Sequence, residues 1–228
     1  MYSPITKWAG LFLGFILPSI YTYLYPRLSE AKSDEEIIDV INDVLRLITF
    51  IVLPFIIIGI STRDWIIPLF YSKDFLGATT YLPYHFSGLL FLIWTSIFSQ
   101  MFWPTGRLKM AFVFEIIINV ISLGLVYYLT PKYGLFGYLS KFTIVPIFSI
   151  IMYFIFWHKK IRFRLKKENA IVILYSLLSA GLLLLLKDKV IYLQLISITL
   201  IMLMILLLKK REKEFLIKKA KSIFNRKK

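Results

Sequence analysis

"GRLKMAFVFEIIIN", Gly106 to Asn119, sets a basic doublet, Arg107 and Lys109, ahead of an apolar run that holds one carboxylate, Glu115, and one amide, Asn119. A carboxylate in apolar surroundings costs several kilocalories per mole unless water, a cation or hydrogen bonds meet it. What the run means therefore depends on the solvent of the chain around it.

That solvent is a bilayer. The 228 residues are 58% hydrophobic, with a mean hydropathy of +0.73, yet carry a formal charge of +15. A soluble domain cannot hide so much apolar surface, and a soluble nucleic-acid binder is not this greasy. Runs of roughly 18 apolar residues, the length that crosses a bilayer core as helix, follow one another. The expected fold is an all-α, polytopic membrane helical bundle. Cysteine is absent, which excludes disulfides, thiol nucleophiles and thiolate metal sites. The first apolar run follows only Lys7 and is too long for a signal-peptide core, so it is expected to be a retained span.

Seven spans are expected: Trp8 to Tyr25, Leu47 to Phe70, Leu82 to Pro104, Met110 to Leu129, Leu135 to Trp157, Ala170 to Leu186 and Val190 to Leu208. Arg63 and Asp64 sit near the far end of the second. That helix either carries them as a pair at the interface or ends at Ser61 and re-enters. Basic residues divide unevenly between the two sides. One side collects Arg27, Lys32, Arg46, Arg107, Lys109, the cluster "HKKIRFRLKKE" (His158 to Glu168) and the tail after Leu208. The other side has Lys7, Arg63, Lys73, Lys132, Lys141, Lys187 and Lys189. The N-terminus is therefore expected outside and the C-terminus in the cytoplasm of a multi-pass cell-membrane protein. The charge is a topology signal, and no nucleic-acid partner is needed to explain it.

"SDEE" at Ser33 to Glu36 is a capping box. Ile37, Ile41, Val44, Leu45 and Ile48 follow at helical spacing, opposite Glu35, Asp39 and Asn42. This segment is either a membrane-surface helix merging into the second span or the second helix starting early in water. Gly10, Gly14, Pro18 and Thr22, spaced by four, make a groove that another backbone can approach. Prolines at 54, 68, 83 and 146 mark tolerated bends.

Glu115, Asn119 and Ser122 share one face of the fourth span, which should look into the bundle or a wet cavity. Glu115 is a candidate proton or cation carrier or substrate contact; the plain alternative is a hydrogen-bonded structural glutamate. Thr95, Ser96, Ser99 and Gln100 line the third span toward its basic end. Lys141 either snorkels outward or faces a cavity and attracts an anion. Enzyme chemistry finds no support: His85 and His158 fall on opposite membrane faces, and no phosphate loop, carboxylate pair or serine elbow occurs. No cofactor or metal is expected.

Three stretches, and a fourth at the N-terminus, resemble the O-antigen-type polysaccharide flippases of the multidrug/oligosaccharidyl-lipid/polysaccharide exporter superfamily. "YLYPRLSEAKSDEE" resembles the segment with proline and "LSEA" after an even-numbered helix, and "PTGRLKMAFVFEIIIN" the short inner loop before an asparagine-bearing helix. "YYLTPKYGLFGY" resembles the outer turn "IPKYGIxGA", and "YSPITK" the turn "YSxAxK" before the eighth helix. A departure is "FGYLSKF", where the family has small residues, "GAAxAT". The similarity covers most of residues 2 to 157 and implies a MATE-like architecture of two six-helix lobes around a central cavity, often with two extra helices. Residues 1–157 would be part of the second lobe, 158–208 the two extra spans and 209–228 a basic cytoplasmic tail. The resemblance implies export of a polyprenyl-diphosphate-linked oligosaccharide in polysaccharide biosynthesis, by a chain that is either a fragment lacking the first lobe or one joined by a separate chain that supplies it.

On that reading Arg107 and Lys109 meet the diphosphate, unless they serve only as positive-inside anchors. With Gln100, Glu115, Asn119, Ser122 and Lys141 they make the candidate substrate-binding set. A drug or cation antiporter of the same superfamily is a second reading, which the basic bias disfavours. A third is a non-transporting membrane scaffold, whose tail "KKREKEFLIKKAKSIFNRKK" would bind anionic lipid.

Overall fold

The computed structural model describes residues 2–70, 77 and 79–208, and no strand occurs among them. The helices are α1 (Tyr2–Glu30), α2 (Asp34–Ser61), α3 (Arg63–Phe70), α4 (Leu82–Gln100), α5 (Leu108–Ile161), α6 (Lys167–Leu185) and α7 (Val190–Leu206). By length and composition α2, α4, α5 and α6 can cross a membrane, and the apolar stretch Ile191–Leu206 of α7 is shorter. The tail 209–228 and Lys73 lie outside the described residues.

α5 is two helices in one. Its 54 residues would extend about 80 Å if straight, more than twice a bilayer core of about 30 Å. Gly134 breaks it with φ 56° and ψ −133°, a conformation that glycine adopts without the steric cost other residues meet. Beyond that point the chain turns back. The ring of Phe114 lies 5.5 Å from that of Tyr153 and 5.2 Å from that of Phe156, although about forty residues separate them. The arms 108–133 and 135–161 therefore run antiparallel and match the fourth and fifth expected spans. Where they meet, a Cβ on Gly137 would stand 2.1 Å from the Leu129 carbonyl oxygen, so only glycine fits.

The N-terminus of α2 is capped as its sequence implies. Ser33 Oγ accepts from the Glu36 N–H at 3.2 Å, while Glu36 Oε2 accepts from the Lys32 N–H at 2.7 Å. From that cap α2 runs unbroken to Ser61, and α3 restarts at Arg63, so the second expected span is interrupted there. α2 packs against α1, α4, α6 and α7. Asn42, expected on the polar side with Glu35 and Asp39, is instead fully buried, along with Arg46. Polar partners explain the burial. Asn42 donates to the Arg164 carbonyl at 3.0 Å and accepts from the Lys166 N–H at 2.9 Å, and Asn169 donates to the Asn42 carbonyl at 2.7 Å. Arg46 donates to the Leu207 carbonyl at 2.7 Å and the Glu168 carbonyl at 3.4 Å, joining the ends of α7 and α6.

These contacts sort the helix termini into two ends. One end holds the α1–α2 link, the turn at 101–107, the 162–166 link and the end of α7, tied by Asn42, Arg46 and a hydrogen bond from Tyr25 to Gln100. The opposite end holds α3, the start of α4, the Gly134 reversal and the α6–α7 link. There Arg63 donates to the Lys187 carbonyl, and Tyr84 meets Phe136 with ring centroids 5.1 Å apart. Every basic residue described at the first end belongs to the richer side of the sequence partition.

α4 and the second arm of α5 approach closely at one point. Pro146 has no N–H to give, so the Phe142 carbonyl loses its helical donor. Gly88 lies on that carbonyl: a Cβ there would sit 2.7 Å from Phe142 O and 2.9 Å from Thr143 Oγ1. Thr95 Oγ1 donates to the Pro146 carbonyl at 3.1 Å, one contact further along.

Two outcomes are expected. In this cysteine-free chain, Lys32→Cys and Asp188→Cys should react with impermeant thiol reagents from opposite sides of the membrane; reaction from one side only contradicts the two-ended arrangement. Gly88→Ala should lower thermal stability in detergent by the ~1–3 kcal/mol typical of overpacking. Gly124→Ala, with nothing within 4 Å of its Cβ position, should be neutral or gain up to ~1 kcal/mol from helix propensity.

Candidate functional site

At the basic end, a cavity of about 360 Å³ opens between the end of α4, the 101–107 turn and both arms of α5. Its walls include Ser99, Gln100, Phe102, Trp103, Leu108, Glu115 and Tyr153. Its floor is aromatic. Phe102 lies 5.5 Å from Phe114, 5.8 Å from Tyr153 and 4.8 Å from Trp157, ring centroid to ring centroid. The Gly134 reversal creates this cluster, because Phe114 and Tyr153 come from different arms.

The expected site residues fall into three groups. Gln100 and Glu115 line the cavity together. Gln100 is set by the Tyr25 hydroxyl of α1, which donates to its Oε1. Arg107 stands at the start of α5, its guanidinium carbon 5.4 Å from the centroid of the Trp157 ring, a cation–π geometry. Two donors there, Arg107 Nη1 and Trp157 Nε1, are buried without a partner. Lys109 is exposed beside them.

Asn119 and Ser122 continue the Glu115 face along the first arm and are not walls of the cavity. Asn119 donates to the Glu115 carbonyl at 2.8 Å. Within this chain Glu115 and Asn119 are exposed and Ser122 half-buried, so the face expected to look inward is open except where Glu115 meets the cavity. Lys141 is at the opposite end, its ammonium 4.1 Å from the Tyr138 ring centroid and 5.0 Å from that of Phe142. It does not join the other six. No cluster of metal-ligating side chains occurs among the described residues.

Sequence reading missed Tyr25, Phe102, Tyr153 and Trp157. The available signal was the aromatic density of "YFIFW", Tyr153 to Trp157, in which Tyr153 and Trp157 are one turn apart.

The sequence has named relatives. Residues 7–211 match the family model described as "Lipid II flippase MurJ". A protein of Shigella flexneri described as "Putative O-antigen transporter" is 27% identical over 141 residues, which are 61% of this chain and 34% of that relative. The matched region thus spans about a third of the relative's length. No solved structure matches the chain significantly. With the family model covering nearly its whole described length, this polytopic helical chain belongs to the MurJ lipid II flippase family of membrane transporters.

Proposed function

We propose that the chain is the second lobe, with two extra C-terminal helices, of a flippase that moves a polyprenyl-diphosphate-linked oligosaccharide outward across the cell membrane for polysaccharide synthesis. A first lobe, carried on a separate chain or on further sequence, completes the transporter. The N-terminus of the chain lies outside and the basic end in the cytoplasm, where the lipid-linked sugar is made.

The observation that carries this reading is the pair of buried, unpartnered donors at the basic end, Arg107 Nη1 and Trp157 Nε1. Buried donors left unpaired cost about 1–3 kcal/mol each. Neither residue walls the cavity, but a side-chain shift at its edge would let a diphosphate oxygen give them charge-assisted hydrogen bonds. The adjoining cavity offers Gln100 and Ser99 to sugar hydroxyls and the Tyr153 ring to a sugar's C–H face. Glu115 and Asn119, on the open face, are suited to a wet passage between lobes, where water offsets the desolvation of a carboxylate. The family match over residues 7–211 supports lipid-linked saccharide as the substrate class.

In the transporter reconstituted with its first lobe, Glu115→Gln should cut transport about tenfold while folded yield stays near normal. Tenfold corresponds to ~1.4 kcal/mol of lost stabilisation at the rate-limiting step. Normal transport by Glu115→Gln makes the carboxylate structural. Arg107→Gln should raise the concentration of lipid-linked sugar needed for half-maximal transport. If it instead only scrambles orientation, the head-group assignment fails.

The chain by itself, in liposomes, should leave a fluorescent lipid-linked oligosaccharide in its starting leaflet. Chain-dependent translocation without an added lobe would show that two copies of this chain form the cavity between them.

A further inference from the structure

A second cavity, of about 250 Å³, lies at the opposite end between α1, α4 and the second arm of α5. Gly10, Leu13, His85, Gly88, Leu89, Leu92 and Phe142 wall it. Its walling side chains are apolar but for one, and the Phe142 carbonyl that Pro146 frees is covered by Gly88. The exception is His85, 2% exposed, with both ring nitrogens unpaired. Its ring is held edge-on to Phe142, the centroids 4.8 Å apart. Gly10, at the mouth, is exposed and has nothing within 4 Å of its Cβ position.

A neutral imidazole carries one N–H donor and one acceptor. Leaving both unmet in an apolar cavity is costly, and the protein offers this ring no partner. Water is a poor occupant, since an ordered buried water needs two to four polar partners. An occupant with one hydrogen-bond acceptor and an otherwise apolar body meets the N–H and leaves only the ring's acceptor nitrogen unpaired.

Depth identifies it. α4 has 19 residues and rises about 28 Å, close to the thickness of a bilayer's hydrocarbon core. His85 is its fourth residue, about one turn inside the helix end, just beneath the ester-carbonyl layer that edges such a core. The cavity then runs about 10 Å toward the bilayer centre, from His85 to Leu92, along the direction of an acyl chain. The Lys141 ammonium lies over the ring of the wall residue Phe142, on a side chain long enough to extend outward to a lipid phosphate.

We propose that this cavity binds one bilayer phospholipid, with His85 donating to an ester carbonyl and the acyl chain filling the space between α1 and α4. The polyprenyl chain of a lipid-linked sugar has no ester carbonyl, so this site is distinct from the transport route and does not depend on what is transported.

The test is native mass spectrometry of the purified chain in micelles, titrated separately with dioleoyl phosphatidylethanolamine and with its ether-linked analogue, which lacks the carbonyls. The first lipid bound should favour the ester form about fivefold, the factor that one neutral hydrogen bond provides. His85→Phe should remove that preference and His85→Gln should keep part of it. His158→Phe, at the other end, should leave it unchanged. Gly10→Leu, which fills the mouth, should weaken the first lipid of either kind. Circular dichroism checks that each variant keeps its helical content. Equal retention of ester and ether lipid by the unsubstituted chain overturns the proposal without reference to any variant. So does a preference that survives in His85→Phe.

Discussion

The reversal at Gly134 is the constraint on which the rest is built. At the end of a membrane span, two helices can be joined without a loop only where the backbone can adopt a conformation and a closeness that side chains forbid. A single glycine with positive φ, and a second at Gly137 where the arms touch, make that join within a few residues. Folding the arms together sets Phe114 against Tyr153 and Phe156 and completes the ring cluster with Phe102 and Trp157. Such pairs are worth about 0.5–1.5 kcal/mol each beyond the area they bury. The cavity that holds Gln100 and Glu115 is the gap this cluster leaves.

α2 is the other organising element, and polar bonds hold it in place. Between helices in lipid there is little hydrophobic driving force, since the surrounding tails are as apolar as leucine. Close packing and hydrogen bonds do the holding instead. Along α2, Asn42 and Arg46 bind the basic end, the Thr49 hydroxyl accepts from Trp94 Nε1 at 2.9 Å, and Ser61 pairs with Ser197 of α7. Gly59 adds a close approach, with the Phe86 ring 2.7 Å from where its Cβ would be. The Arg46 guanidinium on the last carbonyls of α7 also meets the negative end of that helix's dipole.

Helix existence and order were legible in the sequence because long apolar runs leave little alternative in a membrane. The capping box at Ser33 was legible for a local reason, a hydroxyl three residues before a glutamate. The break after Ser61 was one of two readings the Arg63–Asp64 pair left open, and Arg63 is buried all the same, 6% exposed. The burial of Asn42 was not legible. Helical periodicity places it beside Asp39, and only the link at 164–169, more than a hundred residues away, supplies the partners that bury it. The candidate site divides the same way. Gln100 and Glu115 share a cavity only because Gly134 folds the arms, whereas Lys141, a similar intramembrane charge in the sequence, falls at the other end because it lies on the returning arm.

The open side of the first arm can be read from its angular order. At about 100° per residue, Phe114 and Ile118 mark the packed side, and Phe114 is 8% exposed with Ile118 against the core. Phe112, Ile116, Val120, Leu123 and Tyr127 mark a broad exposed apolar side. Glu115, Asn119 and Ser122 lie between the two. A carboxylate in the centre of a lipid-facing stripe would be costly, and one in the centre of the packed side would need a buried partner. On the border it has neither penalty, provided that water or a polar surface reaches the seam. The cavity at Glu115 is where the seam opens, and it opens next to the unpartnered donors of Arg107 and Trp157. On the proposed reading, the polar line follows the edge along which the first lobe's surface and the exposed apolar stripe would meet, and the carboxylate would fall on the wet side of that join.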